Sequence, residues 1–333
     1  RSGAIGVSRT QKGRLVLVTG GAGFIGSHFV RLVHQQRPEW VVVTLDLLTY
    51  AADLQNLTAV LGPGAVESEP RYGERLVAND GRHVLVRGDV ADGELVRRLF
   101  QEFGFEVVVH FAAESHVDRS ILDAAPFVRT NIEGTRVLLE AAREAGVQRF
   151  VQVSTDEVYG DREGLGPADE QAALRPSSPY SASKAAADLL ALAYHRTYGL
   201  PVIITRSCNN YGPHQFPEKL IPLMVWKAAR GEPLPVYGDG QQKREWVYVE
   251  DNAEAILRVV ESGRTGEVYN IGSGQPVPNL QVVQQVCDTV EQRLGRSRES
   301  VRALITFVKD RPGHDRLYWM VSEKVRDELG WRP

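Results

Sequence analysis

The stretch that decides the fold is Thr19-Gly20-Gly21-Ala22-Gly23-Phe24-Ile25-Gly26, which directly follows the apolar run at residues 15–19. Gly20 permits a tight turn from strand to helix, Gly23 lets the backbone approach a pyrophosphate, and Gly26 allows helix and strand to pack closely. The amides at the start of the helix then face the phosphates. Strand, turn and helix in this order predict a dinucleotide-binding site.

An acidic residue lies at the distance that such a turn requires. Asp46 ends the second apolar run, about 20 residues past Gly26. A carboxylate there can accept hydrogen bonds from the ribose hydroxyls of adenosine and would repel a 2′-phosphate, so the sequence predicts NAD rather than NADP. Two further strings, Gly88-Asp89-Val90 and Phe111-Ala112-Ala113, follow the next two strands and are predicted to lie near the adenine and beside the cofactor.

Up to residue 206, short β-branched runs alternate with helical patterns. Continuous apolar runs of this kind suit strands that are buried in a parallel sheet. We therefore predict an α/β fold with a Rossmann-type doubly wound parallel sheet. The predicted strands are residues 15–19, 41–46, 83–87, 107–111, 150–154 and 202–206, and the predicted helices are 27–34, 92–103, 126–145 and 178–198.

After residue 206, prolines separate shorter elements, which is typical of a smaller lobe that closes over the sheet. Residues 244–260 have the pattern of a strand followed by an amphipathic helix, and residues 244–272 are expected to return to the first domain. The predicted NAD-binding domain comprises residues 14–206 and 244–272, and the predicted smaller substrate-binding lobe comprises 207–243 and 273–333. Residues 1–13 are expected to form a flexible extension. Residues 61–82 and 160–176 are expected to form surface loops.

The composition excludes several classes of protein. Thirty-nine basic and 42 acidic residues give a formal charge of −3, and basic blocks that would indicate nucleic-acid binding do not occur. No apolar run approaches the ~20 residues of a membrane span. Cys208 and Cys287 are far apart, which favours free thiols and a cytoplasmic setting, and no pattern of metal ligands is present.

Two pairs of residues suggest the chemistry. Tyr180 and Lys184 are four apart on a predicted helix, so they share one face, and the ammonium is expected to lower the pKa of the phenol and make it a base. Asp156 and Glu157 follow the fifth strand, at the edge where open α/β sheets bind ligands. An elimination needs one carboxylate as base and one protonated carboxyl as acid, so this pair favours dehydration.

The sequence resembles the dTDP-glucose 4,6-dehydratases of the extended short-chain dehydrogenase/reductase superfamily throughout its length. Beyond the glycine turn and the Tyr-x-x-x-Lys pattern, six strings carry the resemblance. They are residues 110–120 (HFAAESHVDRS), 154–160 (STDEVYG), 178–184 (SPYSASK), 209–213 (NNYGP), 217–222 (PEKLIP) and 310–315 (DRPGHD).

The resemblance implies an internal redox cycle on dTDP-glucose, with tightly bound NAD⁺ regenerated in every turnover. Tyr180 would take the proton of the C4 hydroxyl while hydride leaves C4, and Lys184 would orient Tyr180 and contact the nicotinamide ribose. Glu157 would remove the C5 proton, and Asp156 would protonate the departing C6 hydroxyl. Hydride would then return to C6, giving dTDP-4-keto-6-deoxyglucose, with Thr155 bonded to the C4 oxygen.

The resemblance also implies two sets of binding residues. The expected cofactor-binding residues are Gly20, Gly23, Phe24, Ile25, Gly26, Asp46, Thr49, Asp89, Val90, Ala112, Ala113, Ser154, Tyr180 and Lys184. The expected nucleotide-sugar-binding residues are Ser115, His116, Thr155, Asn209, Glu218, Lys219, Leu220, Pro235, Tyr237, Arg244, Asn279, Arg311 and His314.

One departure and several alternatives accompany this hypothesis. Leu47 follows Asp46, where the family usually has a lysine that contacts the adenosine side of the cofactor. A 4-epimerase would share the fold and NAD but needs no acid pair, and a UDP-glucuronate decarboxylase typically keeps one acid there. A non-catalytic NAD-sensing protein would lose the tyrosine or the acids. The helical patterns at 126–145 and 178–198 resemble those of a four-helix dimer interface, so a homodimer is expected.

Overall fold

The computed structural model describes residues 13–68, 74–78, 80–295 and 298–333. The predicted extension lies outside these residues up to position 12. The helices are α1 (Phe24–Gln36), α2 (Thr58–Leu61), α3 (Gly93–Phe103), α4 (Val117–Leu122), α5 (Ala125–Phe127), α6 (Gly134–Ala145), α7 (Pro179–Tyr198), α8 (Leu220–Arg230), α9 (Val249–Ser262), α10 (Asn279–Leu294), α11 (Arg298–Arg302) and α12 (Glu323–Leu329). Short 3₁₀ turns span Leu54–Leu57 and Asp156–Tyr159, and a π-helix spans Val128–Glu133.

The strands are β1 (Leu15–Thr19), β2 (Val41–Asp46), β3 (Val66–Ser68), β4 (Arg75–Val77), β5 (His83–Arg87), β6 (Val107–His110), β7 (Arg149–Thr155), β8 (Val202–Ser207), β9 (Asn209–Tyr211), β10 (Leu234–Tyr237), β11 (Lys243–Arg244), β12 (Trp246–Tyr248), β13 (Val268–Ile271), β14 (Val277–Pro278) and β15 (Ile305–Val308).

Nine of these strands form the main sheet of the described residues, in the order β13-β8-β7-β6-β1-β2-β5-β4-β3. The pairs from β13 to β5 are parallel, and β4 and β3 add an antiparallel edge. The predicted α/β fold with a doubly wound sheet is therefore confirmed. The order reverses at β1, because the chain builds outward from β1 through β2 on one side and from β6 on the other. A crevice is therefore expected beyond the carboxyl end of β1.

Helices cover both faces of the sheet. On one face, α1 packs against α9, and apolar residues of both helices join those of β1 and β13 in one buried cluster. On the other face, α6 packs between α3 and α7 over a second cluster. A helix late in the chain thus helps to bury the first strand of the sheet.

A third apolar cluster is separate from these two, and α8 packs against α10 there. The parallel pair β10 and β15 borders this cluster. Two two-stranded ladders, β9 with β12 and β11 with β14, join successive parts of residues 207–278. The end of the described chain contacts the large sheet: α12 packs against β13, and the indole of Trp331 donates to the carbonyl of Asp251 at 2.9 Å.

Two segments differ from the expectation. The pattern of residues 61–82 predicts a loop, but β3 and β4 form a hairpin there that extends the sheet through antiparallel pairing with β5. The helix expected at 126–145 is interrupted by the π-helix. Its Asn131 side chain bonds both the amide and the carbonyl of Glu114, and Asn131 O accepts from Thr135 Oγ1 at 2.7 Å, which competes with regular helical bonding.

Among the described residues, no helix is both long enough and apolar enough to cross a membrane.

Candidate active site

The glycine turn after β1 forms a close-fitting cradle. Gly20 has a left-handed backbone with φ of 70°, and a Cβ placed on it would lie 2.7 Å from the amide nitrogen of Ala112. A Cβ on Gly26 would overlap the carbonyl oxygen of Gly20. Because α1 starts directly after Gly23, its first amides point out of the turn. The turn therefore fits the pyrophosphate of a dinucleotide.

Asp46 stands at the end of β2 beside this turn. Its Oδ2 accepts from the amide of Ala22 at 2.9 Å and its Oδ1 from that of Leu48 at 2.8 Å. Burial raises the pKa of Asp46, and the two amides oppose that rise. The carboxylate thus both orders the turn and keeps lone pairs for ribose hydroxyls, as NAD requires.

One cavity extends from the glycine turn along the carboxyl ends of the parallel strands, at the predicted point where the strand order reverses. Its wall contains every residue that the sequence predicts to bind the cofactor. These are Gly20, Gly23, Phe24, Ile25, Gly26, Asp46, Thr49, Asp89, Val90, Ala112, Ala113, Ser154, Tyr180 and Lys184. Glycines, small side chains and a carboxylate in this arrangement fit NAD.

The acid pair lies in the same wall, where β7 ends and a 3₁₀ turn begins. Thr155 organises this turn: its hydroxyl accepts from the amide of Glu157 and donates to Asp156 Oδ1, both at 3.2 Å. Among the described residues, Asp156 Oδ2 and Glu157 Oε2 have no hydrogen-bond partner. Both carboxyl groups therefore keep an oxygen available to a ligand.

The two acids have different electrostatic surroundings. Burial and the neighbouring charge of Glu157 raise the pKa of Asp156 well above its usual range, with Glu245 adding to the effect. Burial also raises the pKa of Glu157, but the cations Arg244, Arg311 and Lys219 oppose it. Since like charges so close together resist double ionisation, the arrangement favours a protonated Asp156 beside an ionised Glu157.

Tyr180 and Lys184 lie in the first turns of α7 with both side chains in the cavity wall. The Lys184 ammonium donates to the carbonyl of Val153 at 2.9 Å. Burial raises the pKa of Tyr180 well above its usual range, as do the charges of Glu157 and Asp156, while a hydrogen bond with Thr155 lowers it. The expectation that Lys184 lowers this pKa is therefore not met, because burial and the carboxylates dominate.

A buried ion pair between Asp188 and Arg206 supports the part of α7 that carries Tyr180 and Lys184. Asp188, one helical turn beyond Lys184, accepts from the hydroxyl of Ser154 and from Arg206 Nε, both at 2.9 Å. Arg206 also donates to the hydroxyl of Tyr159 at 3.0 Å. Asp188 and Arg206 are almost fully buried, so they fix α7 against β7 and β8.

The residues predicted for the nucleotide sugar fall into four groups. Ser115, Thr155, Asn209, Glu218 and Lys219 line the cavity. Four others are outside the cavity lining and contact other side chains: Arg311 donates to Asp118 Oδ1 at 3.1 Å, Tyr237 donates to Asp118 Oδ2 at 2.9 Å, His314 packs against Tyr237, and His116 lies 3.6 Å from Glu218. The charge of Arg244 lowers the pKa of Glu157 against the rise that burial causes. The remaining three residues are outside the cavity lining: Leu220 begins α8, Pro235 belongs to β10 and Asn279 begins α10.

Sequence reasoning missed Tyr318. Its ring lies under the guanidinium of Arg244 at 4.1 Å, and its hydroxyl donates to Asp315 Oδ2 at 2.7 Å. Burial raises its pKa well above the usual range, and the charge of Glu157 is the next cause. A signal existed, because Tyr318 follows the family-like string 310–315 by three residues.

Among the described residues, no group of three or more His, Cys, Asp or Glu side chains could hold a metal ion.

Comparisons with known proteins agree with this geometry. The family described as GDP-mannose 4,6 dehydratase matches residues 17–333. A dTDP-glucose 4,6-dehydratase of Xanthomonas campestris pv. campestris (strain B100) is 48% identical over 330 residues, covering 95% of this chain and 88% of the relative.

Two solved structures are informative. The dTDP-glucose 4,6-dehydratase DesIV from Streptomyces venezuelae, with NAD and dTDP bound, has a TM-score of 0.83 at 47% identity, covering 96% of this chain and 92% of that one. A UDP-glucose 4-epimerase of Thermus thermophilus, in complex with NAD, has a TM-score of 0.81 at 32% identity, with 96% and 94% covered. From the family match and the identities, the chain belongs to the dTDP-glucose 4,6-dehydratase family.

Proposed function

We propose that this protein converts dTDP-glucose to dTDP-4-keto-6-deoxyglucose and water, an NAD-dependent step of deoxysugar biosynthesis. The observation that carries the proposal is the acid pair Asp156 and Glu157, held at the end of β7 in the wall of the cofactor cavity, beside Tyr180. The identity of 48% to a dTDP-glucose 4,6-dehydratase supports the choice of substrate.

The first step concerns the C4 hydroxyl of the sugar. Bound NAD⁺ supplies the acceptor for hydrogen from C4, the donor for its return at C6, and a positive charge in the cavity that favours the ionised form of Tyr180. Tyr180 takes the C4 hydroxyl proton, and Thr155, whose hydroxyl bonds with Tyr180, holds the oxygen in place. Lys184 orients this end of α7 through its bond to Val153.

The elimination uses the two acids in different protonation states. A ketone at C4 acidifies the proton on C5, and Glu157 removes it, since the surrounding cations oppose the rise in its pKa that burial causes. Asp156, which burial keeps protonated, gives its proton to the departing C6 hydroxyl as water leaves. Hydrogen then returns to C6, and C5 receives a proton from Glu157.

The diphosphate requires cationic partners, and three basic side chains can supply them. We place Arg244, Arg311 and Lys219 around the nucleotide, with His314 and Tyr237 beside them. Guanidinium groups can donate two hydrogen bonds each to phosphate oxygens. In this proposal residues 14–206 and 244–272 hold the cofactor, and residues 207–243 and 273–333 hold the nucleotide sugar.

A 4-epimerase is the alternative with structural support, since such an enzyme shares the fold at a TM-score of 0.81. An epimerase only removes and returns hydrogen at C4, so a protonated acid beside a base has no task in its reaction. A UDP-glucuronate decarboxylase forms no leaving water at C6 and has no need of this donor either. The acid pair therefore favours dehydration.

The test follows the hydrogen of C4. With dTDP-glucose deuterated at C4, the label should appear at C6 of the same product molecule, and one solvent hydrogen should enter C5. A mixture of labelled and unlabelled sugar, turned over by substoichiometric enzyme, is analysed by mass spectrometry and NMR. Retention of deuterium at C4 contradicts the dehydratase, and retention with inversion at C4 supports the epimerase.

We also infer a homodimer in the cytoplasm. Leu122, Val128 and Leu189 are exposed by 87%, 51% and 56%, and they lie on α4, the π-helix and α7, of which α7 contacts both others. Three large apolar side chains on adjoining helices suit an interface with a second copy. The free thiols of Cys208 and Cys287 support a reducing compartment.

A further inference from the structure

Four side chains from three separate segments meet at the outer edge of the cofactor cavity. Tyr50 belongs to the segment after β2, Arg119 to α4, and Phe216 and Glu218 to the segment between β9 and α8. The Arg119 guanidinium lies 3.8 Å from the centre of the Tyr50 ring and donates to Glu218 Oε2 at 3.2 Å. The rings of Tyr50 and Phe216 meet edge to face, with 5.4 Å between their centres.

These contacts join two sides of one cavity. Thr49, Ala51 and Ala52 line it on the side of the Rossmann domain, whereas Gln215, Phe216, Glu218 and Lys219 line it on the other side. Tyr50 lies between Thr49 and Ala51 in the first of these segments, and its ring contacts that of Phe216 in the second. Tyr50 is 39% exposed and the Arg119 side chain 50% exposed, so the contacts lie on the solvent side of the cavity.

The contacts among these four side chains are individually weak, so they can break and form again. Burial raises the pKa of Tyr50 to about 12, with the charge of Glu218 as the next cause, so the phenol is neutral over the physiological range. Glu218 also lies 3.6 Å from His116, the residue before α4. An exposed ion pair, a cation–π contact and a ring contact are each weak, but together they hold three segments.

We propose that Tyr50, Arg119, Phe216 and Glu218, which we call the clasp, keep the bound cofactor in its cavity throughout each turnover. The proposal rests on the proposed function, in which the cofactor must stay while the sugar changes from alcohol to ketone and loses water. The 49–52 and 215–219 segments cannot separate without breaking the ring contact and the Arg119 bridge. Tyr50 and Arg119 are therefore cofactor-retaining residues.

The experiment measures cofactor release without any sugar. Protein loaded with radiolabelled NAD⁺ is chased with excess unlabelled NAD⁺, and the bound label is followed by filter binding. Tyr50→Ala and Arg119→Met should each release NAD⁺ about tenfold faster than the unchanged protein, the factor expected when contacts of this strength are lost. Tyr50→Phe, which keeps the ring, should release it slowly.

The chain offers a matched control. Tyr198 and Arg143 form a cation–π contact at 4.7 Å, Arg143 pairs with Glu140, and Tyr194 meets the Tyr198 ring edge to face. This group has the same chemistry as the clasp but lies on α6 and α7, and none of its members lines the cavity. Tyr198→Ala should leave the release rate unchanged.

Two further measurements decide whether the four residues act as one unit. The double variant Tyr50→Ala with Arg119→Met should release NAD⁺ no more than about twice as fast as the faster single variant, because one broken contact already frees the segments. Salt should accelerate release from the unchanged protein and not from Arg119→Met. If Tyr50→Ala does not fold, Arg119→Met and its salt dependence carry the test alone.

Release at the unchanged rate from folded single variants would overturn the proposal, and so would independent, multiplying effects in the double variant. Because no sugar is present, this result is separate from the proposed function: a chain that fails to dehydrate dTDP-glucose still reports its NAD⁺ release. In a chain that does dehydrate it, Tyr50→Ala should add crossover of deuterium between sugar molecules.

Discussion

Asp156 and Glu157 are neighbours in sequence, yet the protein gives them opposite roles through their surroundings. Asp156 is 2% exposed and faces further carboxylates, whereas the charges around Glu157 are chiefly those of the cations Arg244, Arg311 and Lys219. An acid and a base can therefore stand side by side, provided that only one of them is ionised.

Substitution should separate the two roles. Asp156→Asn should still exchange the C5 hydrogen with solvent, but it should lose kcat by about 10²–10⁴-fold for want of a proton donor. Glu157→Gln should suppress the exchange itself. NMR in deuterated water measures exchange, and product formation measures turnover. Wild-type exchange in both variants, with reduced turnover, would show that another residue is the base.

The pH dependence of kcat should follow from the raised pKa values. Activity needs an ionised Glu157, so it should fall as the pH decreases through a value above the ordinary pKa of Glu, about 4.3. It also needs a protonated Asp156, so it should fall again as the pH rises through the still higher pKa of that group. Both decreases in activity reflect the coupled titration of Asp156 and Glu157. A profile with no alkaline limb would contradict this assignment.

Asp46 should determine the choice of cofactor. Asp46→Arg should weaken NAD⁺ binding about tenfold or more, because hydrogen bonds to a charged group contribute roughly 1.5–3 kcal/mol, and should improve binding of NADP⁺. The substitution also removes acceptors for the amides of Ala22 and Leu48, so weaker binding alone proves little. The ratio of the two dissociation constants, from calorimetry, is the decisive measurement, and an unchanged ratio would refute the placement of Asp46 at the ribose.

Sequence reasoning located the residues at strand ends because parallel strands bring their carboxyl ends to one edge. It could not find Tyr318 or the Asp188–Arg206 pair, since these depend on which distant segments meet. It also gave the wrong direction for the pKa of Tyr180. The spacing of Tyr180 and Lys184 fixes a shared helix face, but the burial and the nearby carboxylates that raise this pKa come from tertiary packing.

Among the elements, the junction of β1 and α1 is tightly constrained. Gly26→Ala would force its methyl group against the carbonyl of Gly20, and the turn that holds the phosphates would have to open. We expect the free energy of unfolding to fall by about 1–3 kcal/mol and NAD⁺ to bind more weakly. Chemical denaturation and calorimetry measure these quantities.

Gly93→Ala is the control for this change. Gly93 begins α3, and a Cβ built on it meets no atom within 4 Å. Alanine there should leave NAD⁺ binding unchanged and raise the stability by about 0.4–1 kcal/mol, since it restricts the unfolded chain. Equal behaviour of the two variants would mean that the close contact at Gly26 is unimportant.

The elements that sequence predicted well include those with strong periodicity, such as α3. The hairpin of β3 and β4 was missed because three-residue strands at a polar edge carry almost no pattern. The π-helix was missed because its sequence has the pattern of an ordinary helix. The hydrogen bonds of the Asn131 and Thr135 side chains that accompany it are visible only in the structure.

At the scale of the whole molecule, the proposed dimer can be broken without touching the site. Leu189 is exposed on α7, on the side away from the buried Tyr180 and Lys184. Leu189→Arg should give a monomer in sedimentation velocity, because an unpaired charge would be buried in the interface. Trp226→Arg, an equally drastic change on the exposed face of α8, should leave the dimer intact. A dimeric Leu189→Arg would place the interface elsewhere.

The position of β13 at the edge of the large sheet affects how the chain is synthesised. β8 is complete when residue 207 leaves the ribosome, but its outer partner, β13, follows only at residues 268–271. Until then the apolar strand β8 has a free edge that can pair with other nascent chains. Slow translation through residues 208–267 would therefore lengthen the period in which this protein aggregates or depends on chaperones.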